Sequence, residues 1–494
     1  MPQARWSLRF AVAVCTAALL AGCQILGIGT EVREQAFQPS NNPVTFDNVS
    51  KNDKLVELAK GQHPRILATY GGEYSDPKLE RMVAKVVGNL TLVSSNPTQT
   101  FRITILNSPN VNAFALPGGY LYVTRGLLAL ANDSSELAAV IAHEMGHVTA
   151  NHGLQRQKLE AEEALATKVV SDVLGESPTA KAALIRGKLR LAQFSRNQEL
   201  EADAIGIKSA GSAGYDPFAA ARFLQSMQAY ADLRSVTGAS DASLDFLASH
   251  PNAPQRIDLA MQHARQFGAP GIGNRDREPF LAGVDGMLFG DTPDEGYVRG
   301  TTFLHPRLGV SFSVPQGFVI DNSAAAVTAT GPGDIAVRFD GVAIDKNISL
   351  TDYVKSGWVA GLEETSVRSE TINGNEAAIA RAAAGGWRFD ITVIRADGQV
   401  YRLLTAAPQQ SPQLDDVAQY VGSSFKVLSA AEKAALKPLR IKVVTVQAGQ
   451  TVGSVAAAMS GVDKKLELFR VLNELAPGAS LSAGQKVKII TDQY

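Results

Sequence analysis

Leu137, Val140, Ile141 and Met145 recur at helical spacing in the apolar, Ala-rich stretch Glu136 to Val148, so they line one face of a helix. Asn132-Asp133-Ser134-Ser135-Glu136 marks its start: Asp133 is the N-cap, and a Glu three residues later completes a capping-box arrangement. Upstream, Asp76-Pro77 opens a helix through about Ser94, with Asp as cap and Pro in the first turn. Phe101 to Leu106 alternates as a strand does. Val111 to Ala115 is a second strand, turned by Pro117-Gly118-Gly119 into Tyr120-Leu121-Tyr122-Val123. Beyond the central helix the pattern predicts two long helices, about 153–174 and 179–213, broken near Gly175 to Pro178.

After a Gly/Pro-rich stretch near 268–300 the periodicity changes. Phe303-Leu304-His305-Pro306 and Val310 to Pro315 open a run of short strands, near 336–343, 376–382, 387–395 and 400–405, with a helix near 349–362. The last segment reads as strand Val443 to Val446, an apolar helix near 452–459, Leu472-Asn473, and a closing stretch from Leu481 to Val487. The expected fold class is α+β and multidomain: a mainly helical domain with a small edge-strand sheet, a sandwich-like α+β domain, and a small βααβ domain. The expected boundaries are 51–270, a linker at 271–300, 301–430, a linker at 431–441, and 442–494.

A chain of 494 residues can bury several cores. Its net charge of −1 and lack of a basic block argue against nucleic acid as a partner. Arg5 and Arg9 flank the start of the apolar run Phe10 to Leu20, which is short for a membrane span and reads as a secretory signal. It ends in Leu20-Ala21-Gly22-Cys23, which resembles the lipobox of bacterial lipoproteins. That resemblance implies removal of 1–22, lipidation of Cys23, and a tether over 23–50 rich in Gln, Asn, Ser and Pro. With Cys15 lost, the mature chain has no thiol left to pair in a disulfide. Gln24 after the Cys implies the outer membrane by the enterobacterial sorting rule.

The chemistry concentrates at His143-Glu144-Met145-Gly146-His147. Two imidazoles four apart on a helix stand about 5–6 Å apart at Cβ, share a face and can grip one metal ion, while the adjacent Glu reaches a water. This is the HExxH signature of zinc peptidases. Three acids downstream, in Asn197-Gln198-Glu199-Leu200-Glu201-Ala202-Asp203, raise the question of a third ligand. Glu199 and Asp203 share a helix face and Glu201 points nearly opposite. Glu199 is therefore expected as ligand, Asp203 as the carboxylate that holds a ligand imidazole through its other N–H, and Glu201 as a solvated acid, the alternative being that the two glutamates are swapped. A metzincin pattern would need Gly at 150 and His at 153; the chain has Ala150 and Gly153, so His152 is not a third ligand by that scheme. His250, in Ser249-His250-Pro251-Asn252-Ala253-Pro254-Gln255-Arg256, falls in a Pro-rich turn before a helix.

Taken together, His143 to His147, Ser195 to Asp203, and His250-Pro251 with Arg256 resemble the HtpX/BepA/Ste24/Oma1 group of gluzincin metallopeptidases, most closely the periplasmic BepA-like branch. The resemblance covers about residues 50 to 270. Asn112-Ala113-Phe114-Ala115 and the Pro117-Gly118-Gly119 turn match the group's active-site edge strand. It implies a zincin-type domain with one zinc per chain on His143, His147 and Glu199, and Glu144 as catalytic base. His250 would lie close to the metal, where it can cap the zinc and hold the enzyme latent. Either His250 or Arg256 could support the oxyanion. An extended substrate would add to the edge at Asn112, Ala113 and Phe114 through backbone hydrogen bonds. The implied function is a lipid-anchored zinc endopeptidase for misfolded or stalled envelope polypeptides on the periplasmic face of the outer membrane. The alternatives are a non-proteolytic assembly factor with the zinc latent under His250, and a peptidoglycan-binding lipoprotein.

No tetratricopeptide periodicity follows, so the partner docking of BepA-like proteins does not carry over. Residues 301–430 are faintly similar to PsbP-like sandwiches and hold no convergent catalytic set; His305 reads as structural. The segment 442–494 resembles a LysM module, which would imply binding to peptidoglycan glycan. Gln450 stands where Asp is usual, and a structural βααβ cap is the alternative.

Overall fold

The computed structural model of the chain describes residues 54–174, 178–236, 250, 254–323 and 326–494. The expected signal segment, the lipidated Cys23, the tether and Pro251 lie outside the described residues.

The first half is helical around a small sheet. Helices α1 (Lys54–Thr69) and α2 (Pro77–Leu92) precede strands β1 (Arg102–Leu106), β2 (Ala113–Leu116) and β3 (Tyr120–Thr124). There follow α3 (Arg125–Leu130), α4 (Ser134–Thr149), α5 (His152–Leu174), α6 (Pro178–Ser212), α7 (Ala219–Val236), α8 (Pro254–Arg265) and α9 (Arg277–Val284). The sheet order is β1-β3-β2, with β1 parallel and β2 antiparallel to β3, so β2 is an outer strand. Gly118 and Gly119, at φ 81° and 82°, make the β2–β3 turn that side chains with a Cβ resist.

Helix α4 carries the HExxH sequence and is buried from Ser134 to Glu144. Asp133 caps it, accepting from the Glu136 N–H at 2.9 Å. The Glu136 carboxylate reaches back to the N–H of Asn132 at 2.8 Å, one residue earlier than a capping box requires. A seam of small residues lets α6 lie unusually close to α4. A Cβ on Gly206 would come within 2.9 Å of the His143 backbone nitrogen, and one on Gly146 within 3.2 Å of the Ala202 carbonyl oxygen. This close approach sets Glu199 and Asp203 against the two histidines.

The second half is rich in strands, which together with the helical first half makes the chain α+β. Strands 368–372, 375–384, 387–396, 399–408, 335–342, 327–331 and 319–322 form one antiparallel sheet in that order. Phe303, Phe312, Phe339, Tyr401 and Phe425 pack in one core, and Leu350, Val354, Ile391 and Val393 in another. The helix expected near 349–362 is only Leu350–Lys355, because Gly357 turns to φ 89° just beyond it.

The stretch 271–300 differs from the expected linker. Phe280, Leu281 and Val284 of α9 are buried, and Leu288–Phe289 is a strand pairing Leu439 with Phe289 and Arg440 with Leu288. Its residues Phe280 and Val284 carry enough apolar surface to join the core despite the many glycines around them. The closing segment has the order strand Leu439–Thr445, helix Val452–Ala457, helix Lys465–Leu472, strand Lys486–Thr491, and its strands pair antiparallel. It is not a separate bead: Ile441, Phe469, Leu472, Val487 and Ile490 share one continuous core with Leu127, Leu128, Ile141 and Phe280.

Polar contacts reinforce that junction. Arg275 and Arg222 bridge Asp133, at the start of α4, to Glu474. The fully buried Lys488 ammonium donates to the carbonyls of Ala129, Leu130 and Ala131 at 2.7, 3.3 and 2.6 Å, just ahead of α4. Burial pulls Lys488 down to about 7, against the attraction of Glu136, Glu474 and Asp133. The unfolded chain keeps this proton to about 10.5, so it binds more protons between those values and stability rises with pH across that window. Lys488→Met is expected to lower stability at pH 7 by about 3 kcal/mol, by stranding buried carbonyls. Urea melts from pH 7 to pH 10 should show the wild type gaining on the variant; a difference that does not change with pH would contradict this.

Candidate active site

His143 and His147 face Glu199 of α6 and His250, which lies just ahead of α8. One donor atom from each of the four lies within 4.8 Å of the others. The Nε2 atoms of His143 and His147 are 3.0 Å apart, and each is 3.5 Å from a Glu199 oxygen. His250 Nδ1 is 3.0 and 3.1 Å from the two Glu199 oxygens and 3.4 Å from His143 Nε2. Glu144 Oε1 is 3.5 Å from His250 Nε2, so the neighbouring acid looks into the same space. His143, Glu144, Glu199 and His250 are buried and His147 is half-buried.

Behind these donors stands a ring of charge. His143 Nδ1 is 2.9 Å from Asp203 Oδ1. Arg256 grips Asp203 with two bonds, Nε at 2.7 Å and Nη2 at 2.8 Å, and its Nη1 is 3.2 Å from Glu199 and donates to the His250 carbonyl at 3.2 Å. Arg256 therefore sits behind the donors as a clamp on two carboxylates, which argues against the oxyanion role considered for it from sequence. Its own burial costs are met by those two charges.

The titration directions follow. Burial pushes the Glu144 carboxyl up, which makes it a stronger proton acceptor than a surface glutamate. Burial also acts on Glu199, but hydrogen bonds from His143 and His250 prevail and hold it well below the usual carboxylate range. For His143, burial is outweighed by Asp203 and Glu199, which raise it to about 10. Asp203 is held at about 2, Arg256 overcoming the burial that would raise it. Burial depresses His147, and His143 adds to the effect.

This donor set fits a zinc ion. Imidazole nitrogens and a carboxylate oxygen converge on one buried point, the donor types of a catalytic zinc site, with the Glu144 carboxylate beside them. His143, His147 and Glu199 would hold it, with His250 within reach.

The expected edge strand is present but begins at Ala113. Asn112 is turned inward, its N–H donating to Thr124 Oγ1 at 3.0 Å and its side-chain amide to Tyr70 Oη at 3.0 Å. Phe114 stacks on Tyr122, with ring centres 4.8 Å apart. His305 accepts from the Leu308 N–H at 3.2 Å, remote in sequence and sheet from the zinc donors. Glu201, expected in solvent, is instead directed at His152, with Oε2 3.5 Å from its Nε2. His152 is buried, and its Nδ1 lies 2.8 Å from Nδ1 of His147. The sequence offered one hint of this: a third histidine five residues past His147.

An HExxH helix, a glutamate on a second helix and a buried acid behind the first histidine are the parts that a metallopeptidase centre of the gluzincin type needs. Residues 73–263 match the model of peptidase family M48. Among curated relatives, the mitochondrial metalloendopeptidase OMA1 of Schizosaccharomyces pombe is 30% identical over 45% of this chain and 64% of its own length. The beta-barrel assembly-enhancing protease of Yersinia pestis is 32% identical over 39% of this chain and 40% of its own. The OMA1 metalloendopeptidase of Arabidopsis thaliana is 36% identical over 38% and 36% respectively. The chain thus spans less than two thirds of the length of each of these relatives. No described helix is long and apolar enough to cross a membrane.

Proposed function

We propose that this chain is a zinc-dependent endopeptidase that hydrolyses peptide bonds in misfolded or stalled polypeptides of the bacterial envelope. In this reading it works on the periplasmic side of the outer membrane, held by lipid on Cys23. The observation that carries the chemistry is the convergence of His143, His147, Glu199 and His250 within 4.8 Å beside a buried Glu144. Likeness to the beta-barrel assembly-enhancing proteases supports the envelope setting.

Zinc bound here supplies an electrophile that acidifies water and polarises a carbonyl. Glu144, raised by burial, accepts the proton of the attacking water and passes it to the leaving amine. Asp203 holds His143 by Nδ1, and Arg256 holds Asp203. The outer strand Ala113–Leu116 offers backbone groups to an extended peptide, a mode with little demand on side chains. An unfolded test polypeptide should be cut by the zinc-loaded protein, and a chelator should stop it. Failure to cut any unfolded polypeptide at full zinc loading would remove this reading.

The position of His250 supports a second feature, latency. Its ring stands between Glu199 and Glu144, in the space a water or substrate carbonyl needs. His250→Ala is expected to raise turnover of the unfolded polypeptide about tenfold, the ring's departure freeing a site for water. Unchanged or lower turnover would mean that His250 is not a cap.

A further inference from the structure

We infer that His152, backed by Glu201, is a positioning residue that fixes the tautomer and orientation of His147. The inference rests on the zinc reading above and assigns work to two residues outside its ligand set.

The argument is one of proton inventory. His147 turns Nε2 toward Glu199 and His143, which leaves Nδ1 pointing away from the cluster. An imidazole that offers one nitrogen's lone pair to a metal carries its proton on the other. His147 must therefore donate from Nδ1. The atom it meets is Nδ1 of His152, 2.8 Å away. Two ring nitrogens at that distance need one donor and one acceptor, so Nδ1 of His152 is the acceptor and its proton sits on Nε2. His152 Nε2 makes no hydrogen bond, and the Glu201 carboxylate, with Oε2 3.5 Å away, attracts that proton across a longer gap. The Nδ1 pair admits one protonation pattern, which locks the lone pair of His147 on the metal side.

The fold builds this contact deliberately. Asn151 adopts φ 54°, a left-handed turn that ends α4 and starts α5 at once, returning His152 beneath the ring of His147. The two rings meet at 75°, with centres 4.9 Å apart. Gln198 of α6 fixes the His152 carbonyl at 3.0 Å, so the helix that supplies Glu199 also secures this ring. The two ligand histidines are thus held differently. His143 leans on a charged carboxylate at 2.9 Å, whereas His147 leans on an imidazole with its carboxylate one step removed. Partners of this kind commonly change metal affinity by about 10- to 100-fold when lost.

The test compares zinc affinity, by competition with a chromogenic chelator, in the full-length wild type and in the His152→Phe, His152→Asn and Glu201→Leu variants. Phe fills the space without an acceptor, whereas Asn restores an acceptor near the place of Nδ1. Zinc affinity should fall about 10- to 100-fold in His152→Phe, recover in large part in His152→Asn, and fall severalfold in Glu201→Leu. The visible bands of the cobalt-loaded protein should shift in His152→Phe, while melting of the metal-free protein stays as in the wild type. Equal affinity in wild type and His152→Phe would overturn the inference. So would an Asn variant as weak as Phe with metal-free melting lowered in parallel, because packing alone would then explain both. A wild type that takes up no zinc would overturn the zinc reading instead, which keeps the two failures distinct.

Discussion

Glu144→Gln is expected to lower the rate of cleavage of an unfolded polypeptide by about 10²- to 10⁴-fold while leaving zinc at one per chain. Gln matches Glu in shape and keeps the packing of a residue that is 3% exposed, but it cannot accept a proton. Glu144 is not among the four residues whose donor atoms converge, so the metal has no reason to leave. Burial has already raised its carboxyl, making it a better base than a surface glutamate and making its loss more costly. Turnover and zinc content measured on the same sample decide the matter. Retained cleavage would assign the base to another group; loss of zinc would make Glu144 a structural part of the cluster.

The second large effect concerns the end of the chain. A chain stopped after residue 438 is expected to lose cooperative unfolding and zinc binding together. Strand Leu439–Thr445 pairs with Leu288–Phe289, and Ile441, Phe469, Val487 and Ile490 lie in the same core as Leu128, Ile141 and Phe280. Exposing even five such side chains costs roughly 7–15 kcal/mol, which is as large as the whole stability of an ordinary domain. Truncation also removes Lys488 and Glu474, which hold the start of the HExxH helix through backbone carbonyls and two arginines. Calorimetry with zinc analysis tests this. A truncated chain that melts in one sharp transition with zinc bound would make the closing segment an appendage, as a freely tethered module would be.

Much of the site was legible because its parts are local. The spacing of His143 and His147, and of Glu199 and Asp203, fixes which side chains share a helix face whatever the tertiary fold. The starts of α2 and α4 followed from their caps, since Asp76 and Asp133 act within one turn. What stayed hidden depends on contacts between distant segments. Glu201 reads as solvated on α6 taken alone, and only the left-handed turn at Asn151 brings His152 to meet it.

Arg256 was considered from sequence for the oxyanion, and its bidentate hold on Asp203 was hidden because it needs the crossing of α6 and α8. Gly206 gave no signal, because its role is the space it leaves for the His143 backbone. Lys488 lies in an alternating strand, where a lysine ordinarily faces water, and both faces of that strand are covered here. The many glycines of 271–300 pointed to a linker, while Phe280, Leu281 and Val284 at helical spacing carried the contrary signal.

X-ray absorption at the zinc edge, joined to an anomalous difference map from crystals of the purified protein, addresses the central claim most directly. The expected result is one zinc bound by the imidazoles of His143 and His147 and the carboxylate of Glu199. A zinc bound elsewhere, or bound by the two histidines with Glu199 turned away, would contradict it.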